Sequence, residues 1–339
     1  MHLAASPVVK RNAIRLLAGA ALFAGARAAV RKLREEPLDG KVAIVTGSSR
    51  GLGFLIAREL LRAGCRVVIC GRNANDLEIA RKALGSGVVA MTCDVSQKED
   101  VDDLIMQTIE ALGRIDIIVN NAGVIQVGPV ETMTLDDFDQ ELGVMYWGIV
   151  NTTLAALPYL RRGARIANIT SIGGKVSVPH LLPYDSAKFA AVGFSEGLHA
   201  ELAKDGISVT TVVPGLMRTG SFLNAYFKGR ETAEFAWFSL GSALPLISMD
   251  AERAARQIVA AIRRRDAEVI LSMPAKLLAT FHGVLPGVTS KILAMINRLL
   301  PQYGVISQNV RGAEADARLN SPALRKVTRL GRVAAERFQ

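Results

Sequence analysis

The sequence predicts an α/β protein built on a doubly wound parallel sheet, and three observations carry that reading. Seven short apolar runs alternate with longer segments whose apolar residues recur at helical spacing. The runs are rich in β-branched residues and lack strict polar alternation, as strands covered on both faces should. A glycine-rich turn follows the first run directly and opens a helix.

In chain order the strand candidates are KVAIVT (41–46), CRVVIC (65–70), GVVAMTC (87–93), IDIIVN (115–120), ARIANIT (164–170), ISVTTVV (207–213) and AEVIL (267–271). Between them lie segments such as GFLIARELLRAG (53–64) and ANDLEIARKALG (74–85), helical in period and closed by glycine. Repeated strand–helix units imply right-handed crossovers and a sheet with helices on both faces. At 339 residues and 50% hydrophobic composition the chain can bury a large core. The expected organisation is a basic, apolar segment over 1–37, one nucleotide-binding catalytic domain over 38–271, and an apolar helical extension with a basic tail over 272–339.

The net charge of +10 is concentrated at the ends. Residues 1–40 and 311–339 each hold seven Lys/Arg against three Asp/Glu, which leaves the middle close to neutral. A nucleic-acid enzyme would carry its basic stripe on the folded domain, so no nucleic-acid partner is expected. Basic ends beside apolar segments fit a membrane surface. The stretch LLAGAALFAGA (16–26) is uncharged but only eleven residues long, short of the ~20 needed to span a bilayer. An interfacial anchor helix is the expectation there, with a secretory signal and a mitochondrial-type presequence as alternatives. The location expected is cytoplasmic, with membrane association through the ends. For the apolar PAKLLATFHGVLPGVTSKILAMINRLLP (274–301) two readings stand side by side, a helical cover on the sheet and a second membrane-contacting surface. Cys65, Cys70 and Cys93 form no CxxC pair and have no His at metal spacing, so free thiols and no metal are expected.

The turn TGSSRGLG (46–53) has glycines at 47, 51 and 53, which permit a tight turn and close backbone approach. The helix beyond it offers free N–H groups to a pyrophosphate. An acidic residue ending the second strand would bind a ribose 2′-hydroxyl; here Arg72 follows that strand, and the first acid is Asp76. With Arg50 in the turn, this pattern favours a 2′-phosphate and hence NADP(H), with NAD(H) as the alternative.

The stretch PYDSAKFAA (183–191) places Tyr184 and Lys188 on one helix face, one turn apart. Together with the glycine turn, with CDV (93–95), NNAG (120–123) and PGLMRT (214–219), this makes the chain resemble the short-chain dehydrogenases/reductases over about residues 40–271. The resemblance implies a Rossmann fold and an oxidoreductase acting on CH–OH groups with NAD(P). It implies cofactor contacts from Gly47, Ser49, Arg50, Gly51, Leu52, Gly53, Arg72, Asp94, Val95, Asn121, Ala122, Gly123, Tyr184, Lys188, Pro214, Gly215 and Thr219. Asp94 would lie beside the adenine, Lys188 would hold the nicotinamide ribose, and Thr219 the carboxamide. It also implies a homo-oligomer.

The chemistry follows from residue types. Tyr184 can donate or accept the proton of a carbonyl or alcohol oxygen, but a free phenol has a pKa near ~10. The Lys188 ammonium and an oxidised nicotinamide would draw that value down, while Ser171, at the end of the fifth strand, orients the substrate oxygen. The family's pattern places an Asn seven residues beyond an aromatic such as Phe138; here that position is Met145, and Asn151 lies too far along the helix to substitute readily. Six of the chain's 18 aromatics fall in SFLNAYFKGRETAEFAWF (221–238), within the substrate-lid segment 214–249. That favours a small lipophilic alcohol or ketone, as in anchored hydroxysteroid and retinol dehydrogenases. A 3-oxoacyl (β-ketoacyl) reductase-like enzyme is the alternative, and a cofactor-binding scaffold with weak activity is the alternative of another class, motivated by Met145.

Overall fold

The computed structural model describes Val30, residues 33–302 and residues 308–338; the apolar stretch 16–26 lies outside them. All seven strand candidates form strands of one parallel sheet. These are β1 (Val42–Thr46), β2 (Arg66–Gly71), β3 (Val88–Thr92), β4 (Ile117–Asn120), β5 (Arg165–Ile169), β6 (Ser208–Val213) and β7 (Glu268–Ile270). Their spatial order is β7-β6-β5-β4-β1-β2-β3, with every pairing parallel. The order reverses between β1 and β4, which opens a crevice above their carboxyl ends.

Helices α1 (Gly51–Arg62), α2 (Ala74–Leu84), α3 (Lys98–Leu112), α4 (Leu135–Leu142), α5 (Gly148–Ala156), α6 (Leu182–Leu202), α7 (Glu231–Ala243) and α8 (Ala251–Arg264) follow in chain order. α8 shows why such segments are helices. Asp250 caps it by accepting the Arg253 N–H, Ala251, Ala254, Ala255, Ile258, Val259 and Ile262 form one buried stripe, and Arg265 ends it in the left-handed conformation. On one face of the sheet, α1 and α8 enclose Leu55, Leu60, Val67, Ile69, Ile258 and Ile262; on the other, Val101, Leu104 and Ile105 of α3 pack on Ile44, Val68, Ile118 and Ile166.

The C-terminal region divides in two. Residues 308–338 return to the body: Val310–Arg311 pairs antiparallel with Tyr226–Phe227, which itself pairs with Gln126–Val127. Ala315 and Phe338, from the helices that follow, join separate parts of the core. In contrast, α9 (Met273–Val284) and α10 (Pro286–Asn297) bury only Ala275 and Thr289. They do not form a cover on the sheet.

Candidate active site

A cavity of about 480 Å³ runs across the carboxyl ends of the strands, from Arg72 and Asp76 at one end to Ser171, Tyr184 and Lys188 at the other. Sixteen of the seventeen sequence-predicted cofactor residues line it, as does Ser171. The seventeenth, Gly53, is set behind it, where a Cβ would lie 2.4 Å from the Gly47 carbonyl oxygen. Its place is to let the turn close.

The turn after β1 and the one after β4 interlock. The Thr46 hydroxyl accepts the N–H groups of Asn121 (2.9 Å) and Ala122 (3.1 Å), and the Asn121 amide donates to the carbonyls of Thr46 and Gly47, both at 3.0 Å. Gly47 has φ +59°, and a Cβ there would sit 2.6 Å from the Ala122 Cα. Arg50 caps α1 without a side-chain hydrogen bond, so the first-turn N–H groups stay open at the cavity, as an anionic pyrophosphate requires. At the far end, Arg50 lies 3.9 Å from Asp76 and Arg72 lies 3.9 Å from Asp94. Both guanidinium groups are well exposed, so these long ion pairs hold them only loosely. Asp94 also accepts from the Ser96 N–H (3.0 Å) and hydroxyl (2.7 Å).

At the reactive end, the Ser171 hydroxyl accepts the Gly173 N–H at 3.0 Å, which leaves its own proton for a hydrogen bond to Tyr184. Lys188 donates to the Ile169 carbonyl at 2.9 Å, with its Nζ 5.8 Å from the Tyr184 ring centre. Two glycines allow this proximity: a Cβ on Gly174 would meet the Lys188 carbonyl oxygen at 2.5 Å, and one on Gly173 the Asp185 carboxylate at 2.4 Å. Burial pushes Tyr184 above the ordinary phenol value, the Ser171 hydrogen bond opposes it, and the charges of Asp185 and Glu141 add to the rise. Burial pulls the Lys188 ammonium down to about 8, with Glu141 opposing.

Glu141, on α4, was not foreseen. It is 1% exposed, neither carboxylate oxygen has a hydrogen bond of ordinary geometry, and burial holds its pKa well above the usual range, against the Gln126 N–H and the Lys188 charge. An acid in an amphipathic helix reads as a surface residue, so nothing local marks it. Met145 is fully buried in a π turn (Gly143–Trp147) that joins α4 to α5, where the Gly148 N–H reaches the Gly143 carbonyl. Its sulfur lies 3.5 Å from where a Cβ on Gly123 would stand. Asn151 donates to the Val95 carbonyl at 3.2 Å, on the loop after β3, and is no substitute for the missing amide.

A second cavity of about 400 Å³ meets the first at Ser171, Tyr184 and Thr219. Val178, Leu181, Leu216, Trp237, Phe238, Ile247 and Leu278 make its walls largely apolar. Fully buried Glu234 accepts the Trp237 indole N–H at 2.6 Å and pairs with His180 at 2.8 Å, which fixes the aromatic wall. Of the six aromatics in 221–238, only Trp237 and Phe238 reach this cavity. Phe222, Phe227 and Phe235 pack edge-on in a core of their own, and Tyr226 lines the first cavity. All three cysteines are free and buried, and among the described residues no group of three or more His, Cys, Asp or Glu is placed to hold a metal ion.

A parallel sheet with an interlocked glycine turn, an open helix N-terminus and a Ser/Tyr/Lys cluster defines a nucleotide-dependent oxidoreductase. The sequence places it more closely: residues 41–226 match the short chain dehydrogenase family, and the chain belongs to it. It is an oxidoreductase of the kind that acts on CH–OH groups with NAD(P). It is similar to a dehydrogenase/reductase SDR family protein 7-like of Anopheles gambiae, 33% identical over 69% of this chain and 76% of that one. A Streptomyces coelicolor protein whose name carries a provisional assignment as a ketoacyl reductase is 38% identical over 53% of this chain and 72% of its own. Among solved structures, a short-chain dehydrogenase from Streptomyces avermitilis superposes with a TM-score of 0.66 at 29% identity, covering 76% of this chain and 97% of that one.

Proposed function

We propose that this enzyme interconverts a lipophilic secondary alcohol and its ketone with NADP(H). The observation that carries the substrate class is the apolar second cavity, which opens onto Ser171 and Tyr184 and among whose lining residues Asp185 alone carries an ionisable acid or base besides the tyrosine, its Oδ2 already held by Ser177 and the Val178 N–H. Cofactor choice rests on Arg50 and Arg72, two exposed guanidinium groups where a 2′-phosphate would lie, with only long ion pairs to give up. The bound cofactor supplies or accepts the hydride and, when oxidised, adds a positive charge beside Tyr184.

Ser171 turns its proton from Tyr184 to the substrate oxygen and orients it. Tyr184 delivers its proton to that oxygen in reduction and recovers one in oxidation. Lys188 holds the nicotinamide ribose and stabilises the phenolate. Burial keeps the Tyr184 proton in place, which suits reduction.

A second reading, reduction of a β-ketoacyl substrate, is favoured by the Streptomyces coelicolor relative. An NADPH-linked screen over steroid, retinoid, acyl and small aromatic carbonyls tests both. Turnover is expected with the bulky apolar ketones, and Tyr184→Phe should lower it about 10²–10⁴-fold while NADPH still binds. Unchanged turnover in that variant would sink the mechanism, and NADPH binding without reduction of any carbonyl would identify a scaffold.

A further inference from the structure

We propose that α9 and α10 dock this protein on an anionic lipid surface. Leu277, Met295 and Leu299 are 65%, 67% and 85% exposed, and Met273, Val284 and Val288 extend the same apolar surface. The exposed Met273, Leu277, Phe281 and Val284 fall on one stripe of α9, and Val288, Ile292 and Met295 on one stripe of α10 with Lys291 off it, the pattern of helices that lie in a membrane interface. The pair is bent by 120°, and no single described helix is long and apolar enough to cross a membrane. At about 18 Å each, the two helices suit insertion into one face of a bilayer rather than a crossing.

Charge selects the occupant. Between Glu268 and Glu314 the sequence has no carboxylate, and Lys276, Lys291 and Arg298 on or beside the pair are all exposed. A second copy seated on this surface would bring like charges together and leave them unpartnered, whereas anionic headgroups match them. Pro274, Ala275 and Leu278 of α9 also wall the apolar cavity. Docking therefore sets that cavity beside the lipid, a consequence that rests on the lipophilic substrate proposed above.

The test uses the full-length chain, whose three native cysteines are buried. Leu277→Cys and Met295→Cys, each carrying an environment-sensitive fluorophore, are titrated with vesicles of phosphatidylcholine alone and of phosphatidylcholine with phosphatidylserine. The expected result is a blue shift at both positions, with affinity at least tenfold higher for the anionic vesicles. A Leu277→Glu/Met295→Glu variant should bind at least tenfold more weakly, with thermal midpoint and NADPH affinity unchanged. No shift at either position overturns the proposal, even if the chain sediments with vesicles through another segment, and so does equal affinity for both lipids. A shift that grows with protein concentration in the absence of vesicles overturns it in favour of a second copy. None of these readings uses a substrate, so a failed carbonyl screen leaves them unaffected.

Discussion

On the cofactor side of the cleft, the pyrophosphate end is shaped by backbone, and the Arg50 and Arg72 side chains enter only at the far end. Thr46, Gly47, Asn121 and Ala122 are locked together by four hydrogen bonds, and the open N-terminus of α1 follows directly. On the substrate side, beyond Ser171, recognition is carried by side chains drawn from distant segments: Val178 and Leu181 before α6, Trp237 and Phe238 of α7, Ile247 beyond it, Leu278 of α9. Backbone recognition needs particular residues at particular spacings, because only glycine, Thr or Asn fits the turn. Side-chain recognition needs only apolar volume, which many sequences supply. The first side can therefore stay constant while the second changes, and Ser171, Tyr184 and Lys188 stand where the two meet.

Changes confined to one side should leave the other untouched. The largest effect is expected at Arg72. Arg72→Asp removes a cation from the 2′-phosphate position and adds an acceptor for a ribose hydroxyl, so the ratio of kcat/KM for NADPH to that for NADH should fall at least tenfold, matching the ~1.5–3 kcal/mol of a charge-assisted hydrogen bond. The KM for the carbonyl should not move; an unchanged ratio would remove Arg72 from cofactor selection. A smaller effect belongs to Ile247→Asp, at the partly exposed rim of the apolar cavity. It should raise KM for a lipophilic ketone about tenfold, the loss of ~1–2 kcal/mol of apolar contact, and leave the NADPH affinity as it was. If NADPH affinity falls in parallel, the two sides are not independent.

The same contrast explains what could be read from the sequence. Strands buried on both faces announce themselves as apolar runs, and the half-buried edge strands β3 and β7 were legible by the same composition. So were the glycine turn, NNAG and the Tyr/Lys pair, because their spacing is fixed by backbone geometry. The substrate wall was legible only as a lid rich in aromatics, and four of those six serve other ends. His180 and Glu234, which fix Trp237, are 54 residues apart and signal nothing alone. Nor could periodicity reveal that 308–338 returns to pair with Tyr226–Phe227 while α9 and α10 project. That division depends on which apolar faces find a partner.

Met145 is where the two kinds of recognition conflict, since a position that the family's pattern gives to a polar amide is here fully buried thioether. Two accounts of proton transfer differ on what it costs. If protons reach Lys188 through backbone carbonyls and water, the side chain at 145 only fills space beside Gly123. If an amide is required, the present enzyme runs below its capacity. Met145→Asn separates them. It removes apolar volume and places a polar group in a buried site, so it should destabilise the fold by about 1–3 kcal/mol, seen as a lower Tm. We expect kcat to change by less than about threefold, a difference of ~0.6 kcal/mol in barrier. A gain of tenfold or more at saturating NADPH would show instead that Met145 limits the rate, and that the smallest departure from the family's pattern governs the activity.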